Sequence, residues 1–196
     1  AQLQWMLAAY TLALGSGLIT GGRIGDDYGR RRVFLAALAA FAVASAACAL
    51  APTAGALIAV RAVQGLAGGF MVPQVFGIIR SSFEPAAMAK AFGAYGAVQG
   101  LASVAGPLIG GALADADLWG LGWRTIFWIN IPVALVALVL GWRVLPDSRA
   151  AARSRLDGVG ALLAAVGVLL VLLGWFFVQL RICLLYTSDA ADERSS

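Results

Sequence analysis

Along the chain, long apolar runs alternate with short polar or glycine-rich breaks. The apolar runs cover residues 3–22, 33–51, 55–79, 88–113, 125–143 and 158–180. A helix needs about 20 largely apolar residues to cross a bilayer core. Each run therefore predicts one membrane-spanning helix. An integral α-helical membrane protein needs only lipid to cover such apolar runs. The pattern predicts an all-α integral membrane protein with about six transmembrane helices, joined by short connections.

The breaks carry the charge. Gly22-Arg-Ile-Gly25-Asp26-Asp27-Tyr-Gly29-Arg30-Arg31-Arg32 concentrates two carboxylates and four guanidiniums between the first two runs. Such a cluster cannot sit in lipid, so the pattern predicts a charged turn at a membrane surface. If every run crosses once, the breaks holding Arg23, Arg30–Arg32, Arg80, Lys90, Arg143, Arg149, Arg153 and Arg155 share one side. The other side keeps only Arg124. Ten basic residues against one place the first side in the cytoplasm. Trp119, Trp123 and Trp142 fall near the predicted interfaces, where indole is favoured.

Composition agrees. The chain is 61% hydrophobic and 12% charged, where soluble domains run about 45–50% and 25%. The net charge of +4 sits in short connections rather than on a stripe, which excludes a nucleic-acid face. Cys48 reads as a small buried apolar residue, and no disulfide framework is visible. There is no histidine, which removes the commonest metal ligand and general base, and no metal site is expected. Gly15-Ser16-Gly17 superficially resembles the nucleophile turn of a membrane protease. Without a histidine base it reads as helix packing, and no enzyme is expected.

Polar residues inside the runs are the candidate chemistry. Arg61 lies within the third run, and Gln64, Gly65, Gly68 and Gly69 follow on its helix face. An arginine at membrane depth costs about 2.5–3.5 kcal/mol on insertion scales, so it needs a partner or water. The residues alone leave two readings of equal weight: a functional group, or a structural arginine bound to neighbouring carbonyls. Gly17/Gly21, Gly65/Gly69, Gly96/Gly100 and Gly106/Gly110 have the spacing that lets helices approach closely, predicting a tight bundle that can slide. Pro107 predicts a kink in the fourth run, either a moving part or a packing feature. Tyr10, Thr11, Gln64, Gln74, Tyr95, Gln99 and Asn130 are candidate cavity-lining groups, and each is alternatively an interhelical hydrogen bond. No carboxylate lies in mid-run.

These residues together resemble the major facilitator superfamily. Gly22-x-Ile24-Gly25-Asp26-x-x-Gly29-Arg30-Arg31 is similar to the family's loop between spans two and three. Leu57-x-x-x-Arg61-x-x-Gln64-Gly65 is similar to its span-four motif. Gly93 through Gly106-Pro107-x-x-Gly110-Gly111 resembles the span-five motif of its antiporters. Trp123-Arg124-x-x-Phe127-x-x-Asn130-x-Pro132 and Leu156-Asp157-x-x-Gly160 resemble the starts of spans six and seven in the fourteen-span drug:H⁺ antiporter branch (EmrB/QacA-like). The resemblance covers nearly the whole chain to about residue 180. Two positions depart from it: Asp27 stands where the family usually has a basic residue, and Ala102 where the antiporter motif usually has glycine.

The resemblance implies a partial major-facilitator-type helical bundle holding spans two to seven. Residues 1–142 would be the N-terminal transporter bundle without span one, 143–157 a cytoplasmic connection, and 158–180 the extra span seven. Residues 183–196 resemble a translated sequencing adaptor and are read as an artefactual tail. Gly22, Gly25, Asp26, Gly29, Arg30 and Arg31 would form a cytoplasmic gating loop. Arg61 and Gln64 would serve coupling or proton relay. Gly93, Gly106, Pro107, Gly110 and Gly111 would form the kink and sliding face of the antiporter helix. The implied function is proton-coupled export of hydrophobic or cationic small molecules by alternating access, at the bacterial inner membrane. The partners would be a small-molecule substrate and the lipid bilayer, with a periplasmic adaptor protein left open. No cofactor is implied, the proton gradient being the energy source. A metabolite uptake symporter and a truncated, non-transporting fragment are the alternatives.

Overall fold

The structure, a computed structural model, describes residues 2–146 and Gly167. Apart from Gly167, the predicted span 158–180, the tail 183–196 and the connection past Pro146 lie outside the described residues. Within them the chain forms α1 (Gln2–Tyr28), α2 (Arg30–Ala49), α3 (Ala54–Ser82), α4 (Pro85–Asp115), α5 (Thr125–Trp128) and α6 (Asn130–Val144), with two 3₁₀ turns between α4 and α5. No strand occurs among the described residues.

Among the described residues, the stretches long and apolar enough to cross a membrane include α2, α3, α4 and Gly122–Val144. The 27-residue α1 covers the first predicted run. The predicted fifth span is divided at Ile129 into α5 and α6. Pro132 has no N–H for the carbonyl of Trp128, so the helical ladder lapses there.

The predicted charged turn is a correction. The helix does not stop at residue 22. It runs to Tyr28 and breaks only at Gly29, whose φ of 98° suits glycine. Asp26 and Arg30 then face each other across the break at helical spacing. Elsewhere the helix starts follow local rules. The Thr53 hydroxyl accepts from the Ala56 N–H at 3.2 Å, and Pro85 occupies the first position of α4.

The tightest contact is between α1 and α3. A Cβ on Gly17 would lie 2.8 Å from the Leu66 carbonyl oxygen, and one on Gly21 2.8 Å from the Phe70 Cα. A Cβ on Gly65 or Gly69 would collide with the carbonyl oxygens of Tyr10 and Leu14. Two glycine ridges thus face each other with backbones in contact, the arrangement that packs helices in lipid. Buried Gln74 fastens the same pair. Its amide donates to the Gly21 carbonyl at 2.6 Å and the Phe70 carbonyl at 3.1 Å.

Helix α4 behaves differently. It has no buried residue. Val98, Leu101, Val104 and Leu108 all stand exposed. A Cβ on Gly93, Gly96, Gly100, Gly106, Gly110 or Gly111 would meet nothing within 4 Å. The expected tight bundle therefore describes α1 and α3, while the glycine face of α4 has no neighbour among the described residues. The helix continues without a break through Pro107. Phe76 of α3 stacks against Phe92 and meets Tyr95 edge-on, joining the two helices near the α3 end.

Side-chain contacts define two ends. Arg30 reaches the Gly77 carbonyl at 2.7 Å, and Arg31 reaches the Trp142 carbonyl. These bonds gather the end of α1, the start of α2 and the ends of α3 and α6. At the opposite end Arg124 donates to the carbonyls of Ala49 and Ala51, at 2.9 and 3.1 Å. Cys48, Ala51 and Leu57 pack there with Met6, Val60 and Phe127. The arginine-rich end is the one the sequence places in the cytoplasm.

Candidate functional site

Arg61 sits two turns into α3 and is only partly buried. Its guanidinium lies over the Tyr10 ring at 4.6 Å and the Phe127 ring at 5.4 Å. Its Nη1 donates to the Gln64 Oε1 at 2.9 Å. A charge at this depth is thus held by two π faces and one amide oxygen, each of which offsets lost hydration.

Gln64 is completely buried and is the pivot. While its oxygen takes Arg61, its amide donates to the Ser45 hydroxyl. The Asn130 amide donates to the same Ser45 oxygen at 3.1 Å. The Cys48 thiol lies 3.8 Å from the Gln64 oxygen. One polar network therefore ties together α1 through Tyr10, α2 through Ser45 and Cys48, α3 through Arg61 and Gln64, and the α5–α6 region through Phe127 and Asn130. Networks of this kind are costly when incomplete, because each orphaned amide keeps its desolvation penalty.

That cost gives a prediction. Ser45→Ala removes the acceptor of two amides and is expected to destabilise the protein by about 1–3 kcal/mol. Thermal unfolding in detergent measures it, with Ser103→Ala as the control. Among the described residues the exposed Ser103 hydroxyl bonds only within its own helix, at the Gly100 carbonyl. Equal midpoints for the two variants would show that Ser45 holds nothing.

A second polar centre lies at the arginine-rich end. Arg30 Nε and Nη2 both reach Asp26 Oδ1, at 3.1 and 2.8 Å, while Nη1 holds the Gly77 carbonyl. Gly77 leaves room for the Arg30 side chain, which a Cβ there would press on at 2.6 Å. Gly25 likewise leaves room for the Gln74 amide. Arg31 stacks on the Trp142 ring at 5.6 Å while bonding its carbonyl. Gly22, Gly25, Asp26, Gly29, Arg30 and Arg31 thus form a helix-end clasp onto α3 and α6 rather than a free loop.

Of the nominated cavity groups, Tyr10 and Gln64 meet at Arg61, and Asn130 joins them through Ser45. Gln74 serves the α1–α3 seam, Tyr95 packs on Phe76, and Gln99 is exposed on α4. Thr11 returns its hydroxyl to the Leu7 and Ala8 carbonyls. Ser16, the residue of the protease-like triplet, gives its hydroxyl to the Leu12 carbonyl at 2.9 Å. Sequence reasoning missed Ser45 and Cys48. They are the polar pair at helical spacing in α2 beyond its three leading arginines, and that spacing was the available signal.

The sequence profile of the Major Facilitator Superfamily matches residues 1–188. The chain is 42% identical over 170 residues to a "Probable actinorhodin transporter" of Streptomyces coelicolor, covering 87% of this chain and 29% of the relative. It is 43% identical over 150 residues to a "Tetracenomycin C resistance and export protein" of Streptomyces glaucescens, covering 76% and 27%. It is 37% identical over 164 residues to "Multidrug resistance protein 3" of Bacillus subtilis, covering 84% and 31%. The chain spans less than a third of the length of each of these relatives.

Proposed function

This chain belongs to the Major Facilitator Superfamily, a multi-pass membrane transporter family, and on that footing we propose that it is part of a proton-coupled exporter of hydrophobic or cationic small molecules. The observation that carries the reading is the Arg61 network. It holds a cation at span depth and joins elements from α1 to α6 through hydrogen bonds that can be remade. Relatives named for antibiotic transport, resistance and export support the substrate class.

In this reading the chain supplies spans two to seven of a fourteen-span protein of the EmrB/QacA-like branch. Residues 1–142 are the N-terminal bundle, 143–157 a cytoplasmic connection, and 158–180 the seventh span. The protein resides in the bacterial inner membrane and uses the proton gradient without a cofactor. A periplasmic adaptor is a compatible partner. The glycine seam makes α1 and α3 one rigid unit. The Asp26–Arg30–Gly77 clasp locks its cytoplasmic end in one access state. Opening there breaks the clasp, while Arg61 exchanges Gln64 for substrate or for a group that carries the proton. The open glycine face of α4 receives a helix from the remainder of the protein and slides on it.

The test uses inverted membrane vesicles containing the full-length protein and a fluorescent lipophilic cation. Energised vesicles are expected to accumulate the dye and to release it when a protonophore collapses the gradient. Accumulation that survives the protonophore, or none above empty vesicles across a panel of lipophilic cations and neutral antibiotics, contradicts the proposal.

A further inference from the structure

At the arginine-rich end, α2 and α6 diverge around a groove of about 560 Å³ lined by Arg31, Arg32, Leu35, Ala36, Ala39, Leu138 and Trp142. The lining positions repeat at helical spacing, so one face of each helix forms one wall. A neighbouring pocket of about 290 Å³ shares Leu138 and Trp142 and adds Val139 and Arg143. The two walls are basic at the helix ends and apolar farther in. Arg32 and Arg143 are exposed, and Trp142 is 70% exposed. Among the described residues no lining residue is acidic. The apolar floor from Arg32 to Ala39 runs about 10 Å along α2, at 1.5 Å per residue.

We propose that this groove binds an anionic phospholipid of the cytoplasmic leaflet. Charge complementarity and depth select that occupant. The headgroup phosphate meets Arg32 and Arg143 at the interface, where basic pockets between spans hold anionic headgroups. One acyl chain follows Leu35, Ala36, Ala39 and Leu138 into the bilayer. Trp142 sits at headgroup level, as interfacial indoles do. Arg31 has another task. Its bond to the Trp142 carbonyl fixes the distance between the walls. The start of α2 adds positive potential, having no acidic residue in its first turn and no side-chain cap. The nearby carboxylate of Asp26 is engaged by Arg30. A soluble anion would leave the apolar floor uncovered, whereas a neutral lipid would leave two arginines uncompensated. The site is independent of the exporter reading and requires that the arginine-rich end lies at the cytoplasmic surface of the membrane.

The experiment places the full-length protein in phosphatidylcholine nanodiscs containing brominated phosphatidylglycerol or, at equal fraction, brominated phosphatidylcholine. Bromine quenches nearby tryptophan, and subtracting the Trp142→Phe signal isolates Trp142. That substitution keeps the backbone carbonyl that Arg31 uses. Phosphatidylglycerol is expected to quench at roughly 25-fold lower density than phosphatidylcholine, about fivefold per arginine. Arg32→Gln and Arg143→Gln should each lower the preference about fivefold, with the thermal midpoint in pure phosphatidylcholine unchanged. Equal quenching by both lipids overturns the proposal. So does absence of quenching by either, which would mean that residues 147–180 or another protein covers the groove. Relief of quenching by excess inorganic phosphate would assign the groove to a soluble anion and also overturn it.

Discussion

Gly65→Ala is expected to separate α1 from α3 and to cost about 3 kcal/mol, the upper part of the range for overpacked interiors. The added methyl has nowhere to go. It meets the carbonyl oxygen, carbonyl carbon and Cα of Tyr10, all of them backbone atoms that no rotamer change can move. Gly69 faces the same obstacle at Leu14 and Gly17, so relief by tilting one helix about the other is blocked one turn away. Tyr10 would be displaced with its backbone, and its ring would leave Arg61. The measurement is the thermal midpoint of the full-length protein in detergent, with monodispersity by size-exclusion chromatography. Gly55→Ala is the control, because Gly55 is exposed at the start of α3, a Cβ there meets nothing and alanine is the better helix former. A Gly65→Ala protein as stable as Gly55→Ala would refute the glycine seam.

The second large effect belongs to Arg61. Arg61→Gln removes a charged hydrogen bond worth about 1.5–3 kcal/mol and two ring contacts of about 0.5–1 kcal/mol each. If 2–3 kcal/mol of that difference separates the states of the transport cycle, the rate falls about 30- to 150-fold. Export of a lipophilic cation by cells carrying the full-length protein should drop to near background, while expression and monodispersity persist. Arg61→Lys should recover only part of the rate. A lysine keeps the charge but lacks the planar fork that spans Gln64 and the two rings. Unimpaired export by Arg61→Gln would reduce Arg61 to a packing residue.

Much of this architecture was legible in the residue pattern. Arg61 and Gln64 stood out because polar groups in an apolar run must find partners, and both do. The GxxxG pairs at Gly17/Gly21 and Gly65/Gly69 marked the closest helix contact. The same spacing at Gly96/Gly100 marked none among the described residues, because glycine spacing permits close approach without saying which helix arrives. The charged stretch from Gly22 was legible as a membrane-surface feature but not as a helix. Gly22, Gly25 and Gly29 look equivalent in sequence, yet only Gly29 takes the left-handed φ that ends α1. Ser45 and Cys48 were inconspicuous because small polar residues fit apolar helices at little cost. Their role depends on Gln64 lying opposite, across 16–19 residues of chain.

The central claim is that the Arg61 network couples substrate movement to protons. Its most direct measurement reconstitutes the full-length protein in proteoliposomes that trap a pH-sensitive dye, with a lipophilic cation added on one side. Proton movement opposite to the cation in the wild type, and none in Arg61→Gln at equal protein density, is the predicted result. Equal proton movement in the two proteins, or cation transport by the wild type with no proton movement, would contradict it.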